Sequence, residues 1–328
     1  MSLRLAGGAR TCTIEPPVLL APMAGITAAP FRRLVAALGG LGAAVTEYQR
    51  ITVAPLPARV LRRALGEPLA IPVAVQFMLA DDQHLPASAA NAERAGAAWI
   101  DLNFGCPAPI VFKKCAGSAL LAHPERMARF VQRAVHATAL PVTAKLRAGI
   151  DSPAHLEELV CAVAEAGAAA VTVHARLRRD SYETPATWEW LERAVRALRA
   201  CARPVPVIGN GGVECAADIA RLRTLTGVAA VMVGRAAIAD PFIFRVAAGG
   251  APPTVAEAAR WALAYLAAAP APPLAKQLVR YWRAAGMLAE PEERRRLLRA
   301  TPAEIRAWFA ERAAAAPRAE PGALTVGA

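Results

Sequence analysis

Short apolar segments alternate with longer segments of helical periodicity along most of the chain. Eight apolar segments predict β-strands, at residues 18–21, 43–46, 72–76, 99–103, 141–145, 170–174, 205–208 and 229–233. Five segments between them have the apolar spacing of helices, at residues 82–95, 124–137, 153–166, 187–200 and 214–225. Because the strand segments lack polar alternation, we expect a parallel sheet that is buried on both faces.

Repeated strand–helix units of this kind predict an α/β fold, specifically a (β/α)8 TIM barrel. A doubly wound sheet would need a Gly-x-Gly-x-x-Gly loop after the first strand, whereas the sequence there is Pro-Met-Ala-Gly at 22–25. After a Gly- and Pro-rich break at 249–253, only helical patterns follow, at 254–269, 273–286 and 302–314. We therefore predict a barrel domain over 1–248, a smaller all-helical domain over 254–314 and a flexible tail over 315–328.

The composition fits a large folded core and adds a strong positive charge. Of 328 residues, 55% are hydrophobic and 20% are charged, which excludes a chain that is mainly disordered. Lys and Arg number 38 against 26 Asp and Glu, so the net charge is +12, which favours a polyanionic partner such as a nucleic acid. Only four of the basic residues are Lys, a bias that coding preference alone would produce, so the charge supports this partner without proving it.

The six cysteines are scattered, with no Cys-x-x-Cys pair and no histidine pair at zinc-ligand spacing. We therefore expect reduced thiols and no structural metal. The amino-terminal residues lack an apolar leader core, and the longest uncharged run, 16–31, is interrupted by prolines. We expect a soluble cytoplasmic protein that does not enter a membrane, and no feature of the sequence predicts a protein partner.

In a (β/α)8 barrel the active site lies at the carboxyl ends of the strands. Glycines follow the seventh strand at Gly209, Gly211 and Gly212, and Gly234 follows the eighth. The loops after these two strands form the usual phosphate site of such barrels, where backbone N–H groups face the anion. Glycine is also used simply to permit a positive φ, but two such loops at paired positions favour a phosphate site.

Lys145 and His174 end adjacent predicted strands, and Gln76 ends the third. A buried lysine without a partner is costly, so Lys145 favours an anionic ligand, and the N1–C2=O edge of a reduced flavin carries such a charge. Gln76 offers both a donor and an acceptor to a ring edge. The alternatives are a core histidine with satisfied hydrogen bonds at 174 and a loop hydrogen bond from Gln76.

Cys106 lies between Gly105 and Pro107, after the fourth strand. A free cysteine is usually a small buried hydrophobic residue, but on an active-site loop a thiol can act as a nucleophile or as a proton donor. Because the sequence supplies no clear activating base, we favour the proton donor.

These motifs together resemble one family, the tRNA-dihydrouridine synthases. The similar stretches are Ala-Pro-Met-Ala-Gly-Ile-Thr at 21–27, Asp-Leu-Asn-Phe-Gly-Cys-Pro at 101–107, Lys-Leu-Arg-Ala-Gly at 145–149, His-Ala-Arg at 174–176, Gly-Asn-Gly-Gly at 209–212 and Met-Val-Gly-Arg at 232–235. The stretch 46–50 and the pattern Lys-Gln…Tyr-Trp-Arg at 276–283 are most similar to the bacterial C-type subfamily, the tRNA-dihydrouridine(16) synthases. The resemblance covers the barrel and part of the helical region.

The resemblance implies a reaction, two cofactors and a set of site residues. Reduced FMN, regenerated by NADPH, would transfer a hydride to C6 of a D-loop uridine in tRNA, and Cys106 would deliver a proton to C5. The residues expected to bind FMN are Pro22, Met23, Ala24, Gln76, Lys145, His174, Asn210, Gly211, Gly212, Gly234 and Arg235. Those expected to contact the uridine or the tRNA are Asn103, Arg147 and Arg50.

Lys276, Arg280 and Arg283, which we call the tail cations, are expected to bind tRNA as well. Their spacing places them on one face of the predicted helix 273–286, with no acidic residue between them. A solvated helix face in an arginine-rich protein would have the same pattern.

Three departures from the family pattern do not remove a proposed catalytic group. Ala175 and Ala236 stand where the family has glycine, and Cys-Ala-Gly at 115–117 replaces a glycine-rich stretch. Two alternatives remain open on the sequence. One is another FMN-dependent barrel oxidoreductase that reduces a small unsaturated metabolite, which leaves the basic helical region unexplained. The other is a non-catalytic RNA-binding relative, which leaves Cys106 unexplained.

Overall fold

A computed structural model describes residues 2–269 and 272–315 of the chain. The described residues divide into two compact units, one of residues 2–237 and 243–250 and the other of residues 238–242, 251–269 and 272–315. The segment Ile238–Phe242, which falls within the predicted barrel domain, therefore groups with the helical unit. Of the predicted tail at 315–328, all but Ala315 lies outside the described residues.

The elements follow one another in the order expected of strand–helix repeats. The strands are β1 (Leu3–Gly7), β2 (Arg10–Ile14), β3 (Val18–Leu20), β4 (Ala43–Val45), β5 (Gln49–Arg50), β6 (Val73–Met78), β7 (Ile100–Phe104), β8 (Val142–Arg147), β9 (Val171–His174), β10 (Val207–Asn210) and β11 (Ala230–Val233). The helices of the barrel region are α1 (Ala29–Ala36), α2 (Ala58–Leu65), α3 (Leu85–Ala95), α4 (Pro109–Lys113), α5 (Pro124–His136), α6 (Leu156–Glu165), α7 (Glu189–Ala200), α8 (Ala216–Thr226), α9 (Arg235–Ala239) and α10 (Ile243–Ala247). The remaining helices are α11 (Val255–Ala268), α12 (Pro272–Tyr281), α13 (Pro291–Arg299) and α14 (Pro302–Ala314).

The eight predicted strands form a closed parallel barrel. Its hydrogen-bonding order is β4-β3-β11-β10-β9-β8-β7-β6, and β4 pairs with β6 to close the ring. The predicted and observed limits of these strands differ by at most two residues. The predicted TIM barrel is therefore confirmed.

The second strand of the barrel is interrupted, which the sequence pattern does not predict. After β4 the chain leaves the sheet and returns as β5, where Arg50 pairs with Met78 of β6. In the gap, Thr46 Oγ1 accepts a hydrogen bond from the backbone N–H of Gln76 at 3.1 Å. A side chain thus supplies an acceptor beside the interrupted strand.

The antiparallel hairpin β1–β2 is also absent from the sequence-based prediction. Its buried residues Leu3, Leu5, Cys12 and Ile14 belong to one core cluster with Trp99 and other side chains at the starts of the barrel strands. The hairpin therefore covers the amino-terminal end of the barrel. The carboxyl ends of the strands, where barrel active sites lie, are at the other end.

The helical unit has a core of aromatic side chains. Trp282 is fully buried between Trp261 and Phe309, with ring centroids 5.8 and 5.7 Å apart. Packing of this kind supplies large apolar area from few residues. Over residues 2–269 and 272–315, the structure contains no helix with the length and apolar character needed to cross a membrane.

Helix α12 ends at Tyr281 and not at residue 286 as predicted. The guanidinium of Arg294, on α13, donates to the carbonyl oxygens of Val279 and Arg280 at 2.8 Å each. These bonds satisfy carbonyl groups that a continuing helix would pair internally. Arg283 lies beyond the end of α12, so the prediction that the three tail cations share one helix face is wrong.

Candidate active site

Polar side chains lie at the carboxyl ends of four adjacent strands, β7 to β10. The strand register places Lys145 beside Asn103, and it places His174 beside both Arg147 and Asn210. Apart from Lys145, which is half-buried, these side chains are at most 9% exposed. Five residues selected from the sequence are therefore brought together at one edge of the barrel.

The Lys145 ammonium donates a hydrogen bond to Asn210 Oδ1 at 2.9 Å. Asn210 is oriented by its own bond from Nδ2 to the carbonyl oxygen of Met232, at 2.7 Å. Burial lowers the pKa of Lys145 to about 8, although the nearby carboxylate of Asp101 opposes that shift. Because an ammonium ion carries three donors, Lys145 has capacity for a ligand as well as for Asn210.

His174 is held in its neutral form. Burial is the main cause that lowers its pKa well below the usual value, and four nearby cations add to the shift: Lys145, Arg147, Arg176 and Arg235. Arg176 Nη1 lies 3.1 Å from His174 Nε2. Because a guanidinium can only donate, Nε2 accepts this bond and the ring proton is on Nδ1.

Two of these four cations, Arg147 and Arg235, also lie near the ring of Tyr182, in the loop after β9. The guanidinium groups of Arg147 and Arg235 lie 5.6 and 5.1 Å from the centroid of the Tyr182 ring. In the part of the chain that the structure describes, no salt bridge to a carboxylate is formed by Lys145, Arg147 or Arg235. Positive charge without a paired acid favours an anionic ligand.

The glycine loop after β10 approaches two aromatic rings closely. Gly211 and Gly212 have φ values of +103° and +76°. A Cβ at position 211 would lie 2.8 Å from His174 Cδ2, and one at position 212 would lie 2.6 Å from Trp188 Nε1. Both positions therefore need glycine, for backbone conformation and for space.

The loop after β3 carries Pro22, Met23 and Ala24 in a turn. The Thr27 N–H donates to the carbonyl oxygen of Met23 at 3.0 Å, and the Met23 N–H donates to Thr27 Oγ1 at 2.8 Å. A Cβ on Gly234 would lie 3.7 Å from Met23 Sδ. The loops after β3 and β11, both predicted to bind the flavin, are therefore in contact.

Cys106 is half-buried on the loop after β7, and its backbone is anchored on both sides. Its N–H donates to Asn103 Oδ1 at 3.0 Å, and its carbonyl oxygen accepts from Ser118 Oγ at 2.8 Å. Arg147 Nε donates to the carbonyl oxygen of Gly105 at 3.1 Å. These bonds fix the backbone that carries the thiol, as a positioned proton donor requires.

The departure from the family pattern at 115–117 lies against this loop. A Cβ at Gly117, where φ is +58°, would lie 2.9 Å from Cys106 Cβ, so glycine is needed there. Cys115 is exposed and has a φ of +53°, a conformation that glycine adopts at lower cost.

Gln76 is fully buried, and both ends of its amide are engaged. Its Nε2 donates to Asp101 Oδ2 at 2.7 Å, and its Oε1 accepts from Asn103 Nδ2 at 2.8 Å. Burial raises the pKa of Asp101 to about 6, although hydrogen bonds from Gln76 and Thr143 oppose the shift. A contact between Gln76 and a flavin would use the second N–H of this amide or the second lone pair of its Oε1.

The residues predicted to contact RNA outside the barrel edge differ in exposure. Arg50 is half-buried in β5 of the barrel unit. The tail cations are all exposed residues of the helical unit. Their exposure is compatible with binding a polyanion through phosphate groups.

Three residues of this edge were not selected from the sequence: Asp101, Arg176 and Tyr182. Asp101 and Arg176 lie within stretches that carry the family resemblance, at 101–107 and 174–176, so a signal for them was present. Tyr182 follows β9 by eight residues in an irregular loop, and its ring stacks 6.5 Å from that of His174. No pattern in the sequence marks it.

Comparison with known proteins identifies the family to which this chain belongs. A family model described as "Dihydrouridine synthase (Dus)" matches residues 19–268, which include Cys106, Lys145, His174 and both glycine loops. The chain belongs to the dihydrouridine synthase family.

Several curated relatives of this dihydrouridine synthase are similar over most of their length. A tRNA-dihydrouridine(16) synthase from Cupriavidus necator is 40% identical over 235 residues, which cover 69% of this chain and 71% of that protein. A protein of the same name from Pseudomonas putida is 38% identical over 234 residues, covering 68% and 71%. One from Neisseria meningitidis serogroup B is 35% identical over 237 residues, covering 70% of each.

Family membership confirms the enzyme class expected from the sequence, an oxidoreductase of the dihydrouridine synthase type. It favours that class over the two alternatives, a barrel reductase of small metabolites and a non-catalytic RNA-binding relative.

Proposed function

We propose that this dihydrouridine synthase reduces a D-loop uridine of tRNA to 5,6-dihydrouridine, with FMN as its flavin and NADPH as the reductant. Position 16 is the proposed target, because similar relatives are named for that position. The observation that carries the proposal is the cluster of four cations around His174, beside the anchored Cys106 loop, in a chain of this family.

The residues at the strand ends fit an anionic flavin nucleotide. Gly211 and Gly212 leave the loop after β10 free of side chains, and Arg235 adds positive charge for a phosphate. Lys145 has donors beyond the one that Asn210 takes, which suits a ring whose N1–C2=O edge becomes negative on reduction. Bound FMN would supply C6 of the uridine with a hydride that originates from NADPH.

Cys106 holds the proton that C5 of the uridine takes up. Proton transfer leaves a thiolate, and both Lys145 and Arg147 are close enough to interact electrostatically with this thiol. Solvent then returns the proton to the thiolate.

In this proposal, Asn103 and Arg147 orient the uridine. Arg147 uses Nε and Nη1 to donate to the carbonyl oxygens of Gly105 and Leu177, at 3.1 and 2.6 Å. A guanidinium has five N–H groups, so donors remain for a uracil carbonyl. The tRNA body is held through its phosphates by Arg50 and by the exposed tail cations, which position RNA without reading its sequence.

Flavin content and its dependence on Lys145 test this proposal. We expect the purified protein to be yellow and to release FMN, and not FAD, on denaturation. Lys145→Ala should lose most of the flavin, whereas the control Lys114→Ala, at an exposed position after α4, should keep it. NADPH should bleach the bound flavin, and unmodified tRNA should then restore its oxidised spectrum. Protein that takes up no FMN on reconstitution, or reduced flavin that tRNA does not reoxidise, would contradict the proposal.

A further inference from the structure

A chain of side-chain hydrogen bonds crosses three neighbouring strands beneath the Cys106 loop. Thr143 Oγ1, on β8, donates to Asp101 Oδ1 at 2.6 Å. Gln76 Nε2, on β6, donates to Asp101 Oδ2 at 2.7 Å, and Asn103 Nδ2 donates to Gln76 Oε1 at 2.8 Å. Asp101 therefore receives a bond at each carboxylate oxygen and lies at the origin of the chain.

The far end of this chain holds the loop that carries the thiol. Asn103 Oδ1 accepts from the backbone N–H of Gly105 at 3.1 Å and from that of Cys106 at 3.0 Å. One oxygen atom thus fixes two successive peptide groups where β7 gives way to the loop. The position of the Cys106 backbone depends on which way the Asn103 amide faces.

The carboxylate of Asp101 determines the direction of every hydrogen bond in this series. An ionised carboxylate only accepts, so Gln76 must turn its NH2 group towards Asp101 and its oxygen towards Asn103. Asn103 must then turn its NH2 group towards Gln76 and its oxygen towards the loop. Rotation of either amide by half a turn would set a donor against a donor or an acceptor against an acceptor.

Water cannot take over these bonds, because Gln76, Asp101 and Asn103 are 0%, 1% and 8% exposed. A buried carboxylate is a costly way to fill space, as the raised pKa of Asp101 reflects. An apolar side chain would pack on β7 at lower cost. The carboxylate instead fixes the orientation of the Gln76 and Asn103 amide groups.

We propose that Asp101 is a positioning residue for Cys106, acting through Gln76 and Asn103 to set the geometry of the loop that carries the thiol. This inference rests on the proposed function, in which Cys106 delivers a proton to the uridine. Asp101 itself touches no reacting atom.

Two substitutions test whether Asp101 acts by accepting hydrogen bonds or only by filling space on β7. Asp101→Leu keeps the number and branching of the side-chain heavy atoms, although it is larger, and it accepts no hydrogen bond, so it frees the Gln76 amide. Asp101→Asn keeps an oxygen for Gln76 Nε2 and turns its NH2 group towards Thr143 Oγ1, which can accept it. The fixed order of donors and acceptors along the hydrogen-bond chain is lost in Asp101→Leu and preserved in Asp101→Asn.

The rate at which iodoacetamide alkylates each cysteine, measured by peptide mass spectrometry, reports the accessibility of Cys106 on its loop. This measurement needs no substrate. In Asp101→Leu we expect Cys106 to react several-fold faster than in the wild type. Cys12 is buried and reports general opening of the barrel, and Cys215 is exposed and reports reagent activity. The rates of both controls should stay at wild-type values, and Asp101→Asn should match the wild type at all three cysteines.

Single-turnover reduction of tRNA supplies the second readout. Its rate is divided by that of flavin reduction by NADPH in the same sample, which corrects for the amount of competent flavoprotein. Misplacing a reacting group costs about 10- to 100-fold, so we expect that loss in Asp101→Leu and recovery to within a few-fold in Asp101→Asn.

The outcomes distinguish this inference from the proposed function. Unchanged Cys106 alkylation in Asp101→Leu, Cys12 reacting faster together with Cys106, or Asp101→Asn behaving like Asp101→Leu would each overturn the positioning role. Wild-type protein that holds reduced flavin but never reduces tRNA would overturn the proposed function, while the alkylation result would still decide whether Asp101 fixes the loop.

Discussion

The close approach of Gly211 to His174 makes Gly211→Ala a quantitative test of the site. At a φ of +103°, a residue with a Cβ adds about 1–3 kcal/mol of backbone strain. The new Cβ would lie 2.8 Å from His174 Cδ2 and 3.1 Å from its Nε2. Relief of such overlap costs about 1–3 kcal/mol more, so we expect the free energy of unfolding to fall by about 2–6 kcal/mol.

Gly39 supplies a matched control, because its φ is +79° and no atom lies within 4 Å of a Cβ built there. Gly39→Ala should cost backbone strain alone, about 1–2 kcal/mol. Urea unfolding followed by circular dichroism measures both variants, and flavin retention should fall only in Gly211→Ala, where the His174 ring must move. Equal losses of stability in the two variants would show that the close approach to His174 does not constrain the side chain at position 211.

Three further predictions concern the thiol, the helical unit and the buried acid. Cys106→Ala should keep FMN and its reduction by NADPH while dihydrouridine formation falls by about 100-fold or more, with Cys115→Ala as a mild control; near-normal activity of Cys106→Ala would exclude the proton-donor role. Replacing all three tail cations by alanine should leave the flavin reactions intact and make the slope of log K for tRNA against log salt shallower by up to about three; an unchanged affinity and slope would place the tRNA elsewhere. Because the pKa of Asp101 is raised from 3.8 to about 6, the folded state keeps a proton that the unfolded chain loses as pH rises through this window. Wild-type protein should therefore lose stability relative to Asp101→Asn across that window, by roughly 3 kcal/mol at most, and a pH-independent difference would contradict the raised pKa.

The barrel strands could be predicted because burial on both faces makes each an uninterrupted apolar run, as in β11, where all four residues are buried. The hairpin β1–β2 differs, since its alternate residues are exposed and its apolar positions pack only against the starts of distant strands. Helix α13 buries Leu297 and leaves most of its other side chains exposed, so no apolar stripe marks it. The hairpin and α13 therefore lack a local pattern that would predict them.

The site residues also divide into those that a local sequence pattern predicts and those that it does not. Lys145, His174 and Cys106 are polar residues at the ends of apolar runs, so their places at the barrel edge followed from the strand pattern. The bond between Gln76 and Asp101 depends on the register of β6 with β7, which pairs these two residues, and no local pattern encodes that register. For the same reason, the end of α12 could not be predicted without the guanidinium of Arg294, which reaches it from another helix.

Mapping of dihydrouridine by position in tRNA tests the central claim most directly. Unmodified tRNA is incubated with the FMN-loaded protein and NADPH, digested, and analysed by mass spectrometry of the D-loop fragment. We expect conversion of the uridine at position 16, the position for which similar relatives are named, and no conversion of a transcript that carries cytidine there. Conversion at a different uridine would contradict the assigned position, and an FMN-loaded, NADPH-reduced protein that converts no uridine in any tRNA would contradict the claim itself.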